Sequence, residues 1–239
     1  MSSESPLKII YQDENFFAID KPSGFFVHPP ELSPYPVPKE RICLWHLRKM
    51  FRKDVFPVHR LDAPTSGIVL FAMSRQDARE LNFLFAERRM HKTYHAVVRG
   101  FVPASGSIDL PLEVDEGQSI VEAQTVFRSL AQVELPYAVG KKYPTSRYSL
   151  VQAHPVTGRW HQIRRHFDRI AHPLLGDIEH GDSHHNRFFR DTLNIKGLCL
   201  KATKIEMESP WNGQRVVIEA PACDKWNQIH ELFSWKPPT

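Results

Sequence analysis

The chain has no run of about 18 consecutive apolar residues, so no segment suits a transmembrane helix. Its opening, Met1-Ser2-Ser3-Glu4-Ser5-Pro6, lacks both the basic and the apolar region of a secretory signal. Residues 1–6 are expected to be a frayed tail. Cysteine is scarce: Cys43, Cys199 and Cys223 lie far apart, without metal-ligand spacing. An odd, scattered set of this kind fits a reducing cytoplasm, with thiols serving as small core residues. Absent too are a Walker A phosphate loop, a dinucleotide-binding glycine fingerprint and a Gly-x-Ser-x-Gly nucleophile elbow. No internal repeat is visible.

What remains is a chain of 239 residues, 41% hydrophobic, enough for a substantial core. Length alone allows one large β-rich domain or two small ones. No linker-like shift in composition interrupts it, and residues 7–239 are expected to form a single domain. The net charge of +4 is a mild bias toward polyanions. The basic residues Arg88, Arg89, Lys92, Lys141, Lys142, Arg147, Arg159, Arg164 and Arg165 flank the motifs described below.

Apolar and β-branched runs predict strands at 8–14, 16–20, 68–72, 94–102, 107–112, 121–127, 131–135, 147–154, 198–207 and 215–220. Leu44, Leu47 and Phe51 recur at helical spacing within 41–51. Ser74 is placed to cap a helix running to about Arg89, with Ala78, Leu81 and Phe85 inward. A third helix is expected over 161–170, with Ile163, Phe167 and Ile170 on one face and Arg164, Arg165 and Asp168 pointing elsewhere. A fourth is expected to start at an Asp224 cap, burying Trp226, Ile229 and Phe233. The proline-rich residues 29–38 read as an irregular loop. Strands outnumber helices without regular βαβ alternation, so the class is α+β, with a largely antiparallel mixed sheet.

The stretch Val58-His59-Arg60-Leu61-Asp62-Ala63-Pro64-Thr65-Ser66-Gly67 sets Asp62 on a tight turn before the buried strand Ile68-Val69-Leu70-Phe71-Ala72. A carboxylate held at such an edge is rigidly aimed, as a nucleophile or base must be. An Asp before Pro and Gly is also an ordinary turn residue, and the turn alone does not separate the two readings.

Three further segments accompany it: Lys21-Pro22-Ser23-Gly24 with Val27-His28-Pro29; Lys92-Thr93-Tyr94-His95-Ala96-Val97-Val98-Arg99-Gly100; and Thr157-Gly158-Arg159-Trp160-His161-Gln162-Ile163-Arg164-Arg165-His166 with His172-Pro173-Leu174-Leu175-Gly176-Asp177. In this order the four segments resemble the motifs of the RluA family of pseudouridine synthases. The likeness runs from about Leu7 to about Trp235, with Ala63 and Trp160 at variable motif positions. It implies the pseudouridine synthase fold, a long mixed, mainly antiparallel sheet with flanking helices and a central active-site cleft. It further implies isomerisation of uridine to pseudouridine in RNA, needing neither metal nor cofactor. Within the family the likeness is nearest to members acting on uridine 65 of tRNA. No S4-like RNA-binding module is expected ahead of the catalytic residues.

The same likeness implies roles for single residues. Asp62 is the essential carboxylate. It could add to the base, attack C1′ or abstract the C2′ proton; the family implies the last, through a glycal. Arg164 matches the arginine that steadies this carboxylate, a task for which a planar guanidinium suits better than an ammonium. Tyr94 is placed to stack on uracil and assist removal of the C5 proton. Arg60 occupies the position that fills the gap left by an extruded nucleotide. His59, Lys92, Arg159, His161 and Arg165 are expected to contact RNA, with His161 and His166 also orienting the Arg164 helix. The run His180, His184, His185 lacks an ordered ligand pattern, so no metal is expected. A monomer acting on tRNA, with rRNA possible and no membrane, completes the expectation. Competing readings are a dual-specificity or rRNA-specific member, a non-catalytic RNA binder or chaperone, and a carboxylate-nucleophile hydrolase.

Overall fold

The structure, a computed structural model, describes residues 5–30, 36–114, 119–140 and 142–236. Most of the expected tail, the centre of the proline-rich loop and Lys141 lie outside these residues. The class is α+β as expected, and the chain divides into two compact units. Unit one comprises Met1–Lys92 and Ala202–Pro221; unit two comprises Thr93–Lys201 and Ala222–Thr239. No described helix is long and apolar enough to cross a membrane.

Unit one is built on β1 (Lys8–Gln12), β2 (Phe16–Lys21), β3 (Phe56–Pro57), β4 (Ser66–Ala72), β11 (Leu200–Glu208) and β12 (Arg215–Glu219), β11 entering it at Ala202. The order is β1-β2-β4-β11, with β3 on β4 and β12 on β11. In β4 every residue from Gly67 to Ala72 is buried, the pattern of a strand covered on both faces. One face joins Phe16, Ala18, Ile68 and Leu70 to Leu81 and Leu84 of α2 (Arg75–Ala86) and to Ile205, Met207 and Ile218. On the other, Phe17 meets Phe71 and also Phe51 of α1 (Cys43–Phe51), with ring centroids 5.5 and 4.6 Å apart. Ser74 caps α2 as expected, its hydroxyl accepting from the Asp77 N–H at 3.1 Å. Gly67, at φ +111°, is required by a close approach: a Cβ there would collide with the Ala202 backbone of β11.

Unit two carries the order β5-β10-β9-β6, with β5 (His91–Arg99) entering it at Thr93, β6 (Ser105–Asp109), β9 (Gln124–Leu135) and β10 (Ser146–Pro155). A separate ribbon pairs β7 (Leu112–Val114) with β8 (Ser119–Val121). Of the run expected at 121–127, Val121 ends β8 and the rest from Gln124 joins the run expected at 131–135 in one strand, β9. A register shift against β10, where Leu150 faces Ala131 but Val151 faces Ser129, interrupts the alternation and hides its continuity. Helix α3 (Gln162–Arg169) sets Phe167 edge-on to Phe127, centroids 5.3 Å apart. Helices α4 (Ser183–Asp191) and α5 (Asp224–Leu232) bring Phe189, Trp226 and Ile229 onto Tyr148 and Leu150 of β10. Asp224 is the first residue of α5 rather than its cap; Cys223 holds that position. Helix α4 was not expected, although Asp182 caps it through the N–H groups of His184 and His185 at 2.9 and 3.3 Å.

Candidate active site

Asp62 lies in unit one, as the first residue of a turn closed by the Thr65 N–H on the Asp62 carbonyl at 3.0 Å. The Lys21-Pro22-Ser23-Gly24 segment clasps this turn. The Gly24 N–H donates to the Ala63 carbonyl at 2.7 Å, and the Ser23 hydroxyl to the Pro64 carbonyl at 2.8 Å. Lys21 is fully buried, and its ammonium donates to the carbonyls of Pro22, Phe25 and Ala63 at 3.1, 2.8 and 3.1 Å. Burial pushes its pKa down to about 8, partly offset by Cys43, Asp62 and Asp20 nearby. A buried cation beside a turn-mounted carboxylate lowers the cost of holding that carboxylate ionised. Sequence reasoning gave Lys21 no role, because nothing local says that two turn-like motifs some forty residues apart are one structure.

Around this turn, Arg60 is exposed, while His59 is half-buried and accepts the Leu70 N–H through Nε2 at 3.1 Å. Burial, with the charge of Lys92, pushes the His59 pKa down to about 3, so its imidazole is neutral. Lys92 is half-buried, its ammonium 5.9 Å from the Phe85 ring centroid, and burial pushes its pKa down to about 8.

Tyr94 and Arg164 belong to unit two. Tyr94 sits on β5 opposite Ala153 of β10 and is buried. Arg164 departs from the sequence expectation: it does not point away from the buried side of its helix but is only 1% exposed. Its Nε and Nη2 donate to the two carboxylate oxygens of Asp177 at 2.6 and 2.7 Å, and Nη2 also reaches Glu179 at 3.0 Å. Desolvation raises the Asp177 pKa, but the Arg164 fork and the backbone N–H groups of His180 and Glu179 outweigh it and hold the carboxyl below its ordinary range. A bidentate partner explains how an arginine faces inward: Asp177 neutralises it and fixes the plane of its fork. Asp177 was visible in the Gly176-Asp177 motif, but a partner 13 residues away and outside the helix follows no helical spacing.

The rest of the Thr157–His166 segment locks this helix in place. Gln162 satisfies its whole amide: Nε2 donates to the Gln124 carbonyl and the Thr125 hydroxyl at 2.9 and 3.0 Å. Its Oε1 accepts from the Thr157 hydroxyl and the Arg159 N–H at 2.6 and 3.0 Å. His166 donates from Nε2 to the Leu110 carbonyl at 3.0 Å and meets the Thr125 hydroxyl at 2.9 Å, so it orients the helix as expected. Arg159 and Arg165 rest on the carbonyls of Glu122 and Glu113 at 3.1 and 2.9 Å.

His161 is buried, with Nδ1 at 3.0 Å from His180 Nε2 and 3.6 Å from Glu179. Burial, then the charge of Arg164, push its pKa down to about 3. These three side chains are the group of metal-ligand type among the described residues, with donor atoms within 4.8 Å of one another. The contact between the histidines and the grip of Arg164 on Glu179 account for their closeness. The other two histidines of the run serve α4 instead. His184 is exposed at its start, and His185 meets the Tyr148 hydroxyl at 2.8 Å.

Comparison with known proteins bears on this arrangement. The family profile described as RNA pseudouridylate synthase matches residues 15–169. A protein of Vibrio parahaemolyticus named tRNA pseudouridine synthase C is 39% identical over 239 residues, covering 96% of each chain. Its namesake from Vibrio cholerae is 40% identical over 240 residues, covering 96% of this chain and 97% of its own. Among solved structures, Human RNA Pseudouridylate Synthase Domain Containing 4 superposes with a TM-score of 0.74 at 20% identity, covering 97% of this chain and 94% of its own. Human RNA Pseudouridylate Synthase Domain Containing 1 gives 0.69 at 21% identity, covering 100% and 99%. The last two speak for the fold alone. The profile spans more than half of the residues, including Asp62, Tyr94 and Arg164, and this chain belongs to the RNA pseudouridylate synthases of the RluA family.

Proposed function

We propose that this enzyme converts uridine 65 of tRNA to pseudouridine, acting as a monomer in the cytoplasm without metal or cofactor. The observation that carries the substrate is the likeness to proteins named tRNA pseudouridine synthase C along 96% of both chains. The free thiols of Cys43, Cys199 and Cys223 support a reducing compartment. Residues 7–239 are read as one catalytic domain.

In this reading the Asp62 carboxylate takes the C2′ proton as the N1–C1′ bond breaks, leaving a glycal and a uracil anion. The base turns, C5 bonds to C1′, and the proton returns to C2′. The C5 proton is then lost with help from the Tyr94 hydroxyl, and N1 is protonated. Arg164 controls charge around the carboxylate. Arg60 fills the space of the extruded nucleotide, and His59, Lys92, Arg159 and Arg165 engage the RNA; His161, expected among them, is buried beneath Trp160 and supports the helix instead. A stem uridine must leave its helix first, and enzymes acting on bases commonly extrude them.

The test treats unmodified total tRNA and rRNA with purified protein and maps pseudouridine by carbodiimide-dependent reverse-transcription stops. New stops at position 65 of a subset of tRNAs are expected. Stops confined to rRNA or to the anticodon arm would replace the substrate but keep the chemistry. No new stop in either pool would leave a non-catalytic RNA binder.

A further inference from the structure

Trp160 stands apart from the other residues of its motif. The side chains of Thr157, Gln162, Arg164 and His166 are engaged in hydrogen bonds, whereas its indole is 53% exposed on the surface of unit two. It is nevertheless not loose. Its ring stacks on that of His161, with centroids 3.8 Å apart and planes 20° from parallel. His161 in turn is buried, is held by His180, and occupies the left-handed region at φ +51° as the residue preceding α3. A β-carbon-bearing residue is strained in that region, and the surrounding structure must offset the strain.

Arg159 precedes Trp160 in the chain, and Arg165 and Arg169 stand four residues apart on α3. Arg165 lies 5.8 Å from the indole centroid and is tethered to the Glu113 carbonyl. Arg159 is tethered to the Glu122 carbonyl, and Arg169 to the Pro111 carbonyl at 2.7 Å. One backbone acceptor on each cation restrains its direction without neutralising it. A pre-stacked indole among tethered arginines matches a nucleobase and its flanking phosphates: the π-face takes the base, and the cations take the backbone.

We propose that Trp160 is a stacking platform for a nucleobase of the substrate RNA, and that Arg159, Arg165 and Arg169 bind the phosphates beside that base. The proposal rests on the reading of this protein as an RNA-modifying enzyme and adds a binding site distinct from the reacting groups. Trp160 is a positioning residue: it grips RNA and takes no part in bond making.

The test compares wild type, Trp160→Phe and Trp160→Ala for equilibrium binding of unmodified tRNA, tRNA-dependent quenching of tryptophan fluorescence, and single-turnover conversion at subsaturating protein. Trp160→Ala should bind roughly 5- to 100-fold more weakly, the span expected for loss of one base–aromatic stack. Trp160→Phe should keep most of the affinity and lose much of the quenching. Conversion at subsaturating protein should fall in Trp160→Ala in step with its affinity, while Trp160→Phe, which keeps a ring on His161, should hold the wild-type melting temperature. Wild-type affinity in Trp160→Ala, or quenching undiminished in Trp160→Phe, would overturn the platform. Failure of the functional reading is distinguishable: it abolishes conversion at position 65 in wild type while the binding and quenching differences persist. If wild type binds no RNA, both fall.

Discussion

Removing one partner of the Arg164–Asp177 pair tests whether that arginine is a structural ion or a prepared catalytic group. Both side chains are essentially excluded from solvent, and two bonds of 2.6 and 2.7 Å join them. Asp177→Ala removes the bidentate partner of a buried guanidinium, leaving its contact with Glu179, and deprives the N–H groups of Glu179 and His180 of their acceptor, each bonded at 3.0 Å. Breaking a buried pair in this way costs about 3–5 kcal/mol, a large share of the ~5–15 kcal/mol by which a folded protein is stable. With an m-value near 3 kcal/mol/M, the urea midpoint should fall by roughly 1–2 M. Arg164→Met combined with Asp177→Leu should recover most of that loss, since replacing both ions by apolar groups of similar bulk is commonly near neutral. Turnover should not recover, because the guanidinium is gone. The pH dependence supplies a second check. The Asp177 pKa is held below its unfolded value, so its stabilisation is complete above about pH 4 and is lost as pH falls through the folded value. Asp177→Asn should therefore show a shallower acid-unfolding limb than wild type. Wild-type stability in Asp177→Ala would refute the energetic reasoning, and an active double variant would refute a catalytic role for Arg164.

Four other variants have expected outcomes. Asp62→Asn should abolish single-turnover conversion while tRNA affinity, dominated by phosphate contacts, largely survives; Tyr94→Phe should lose rate rather than affinity. Lys21→Met should slow turnover and destabilise, because the part-buried carbonyls of Pro22, Phe25 and Ala63 each lose a donor, and it should erase a decline in wild-type activity as pH rises through about 8. The sign for stability is opposite there: the lowered Lys21 pKa means that the cost of burying its charge is full below pH 8 and relieved between about 8 and 10.5, so unfolding titrations should show a small gain over that window. Gly67→Ala should lower stability by about 2–5 kcal/mol, seen as a fall in melting temperature, because the new methyl meets the Ala202 backbone and φ is +111°.

What could be read in the sequence follows from how far each signal reaches along the chain. The Asp62 turn, the buried β4 run and the Ser74 cap are written within a few residues, and each was legible. Helix α4 was not: Ser183, His184, His185 and Asn186 are poor helix formers, and only Phe189 is buried. It exists because Phe189 enters a core supplied by β10 and α5, which no local window contains. The β9 bulge broke an alternation that hydrogen bonding to β10 sustains. Arg164 was read as outward because charge predicts exposure; the deciding partner, Asp177, is a tertiary contact. The same distance hides the service of Lys21 to the Asp62 turn.

These hidden partners share a physical logic. Asp62 is a turn residue, and a turn on a surface is ordinarily among the more mobile parts of a fold. Here the Ala63 carbonyl, next in the chain, accepts from both Gly24 and Lys21, and the Pro64 carbonyl accepts from Ser23. Desolvating the Lys21 ammonium is costly, as its pKa of about 8 records, and an apolar residue there would avoid that cost. The cation is retained where it both fixes the backbone beside Asp62 and places positive charge near it. Arg164 shows the same trade in the other unit: a second carboxylate, Asp177, takes two of its donor groups and so sets the direction of the remainder. Each unit thus holds one ionised group in a fixed direction before any RNA arrives. That suits an isomerase whose electrostatics are arranged in advance by the protein itself.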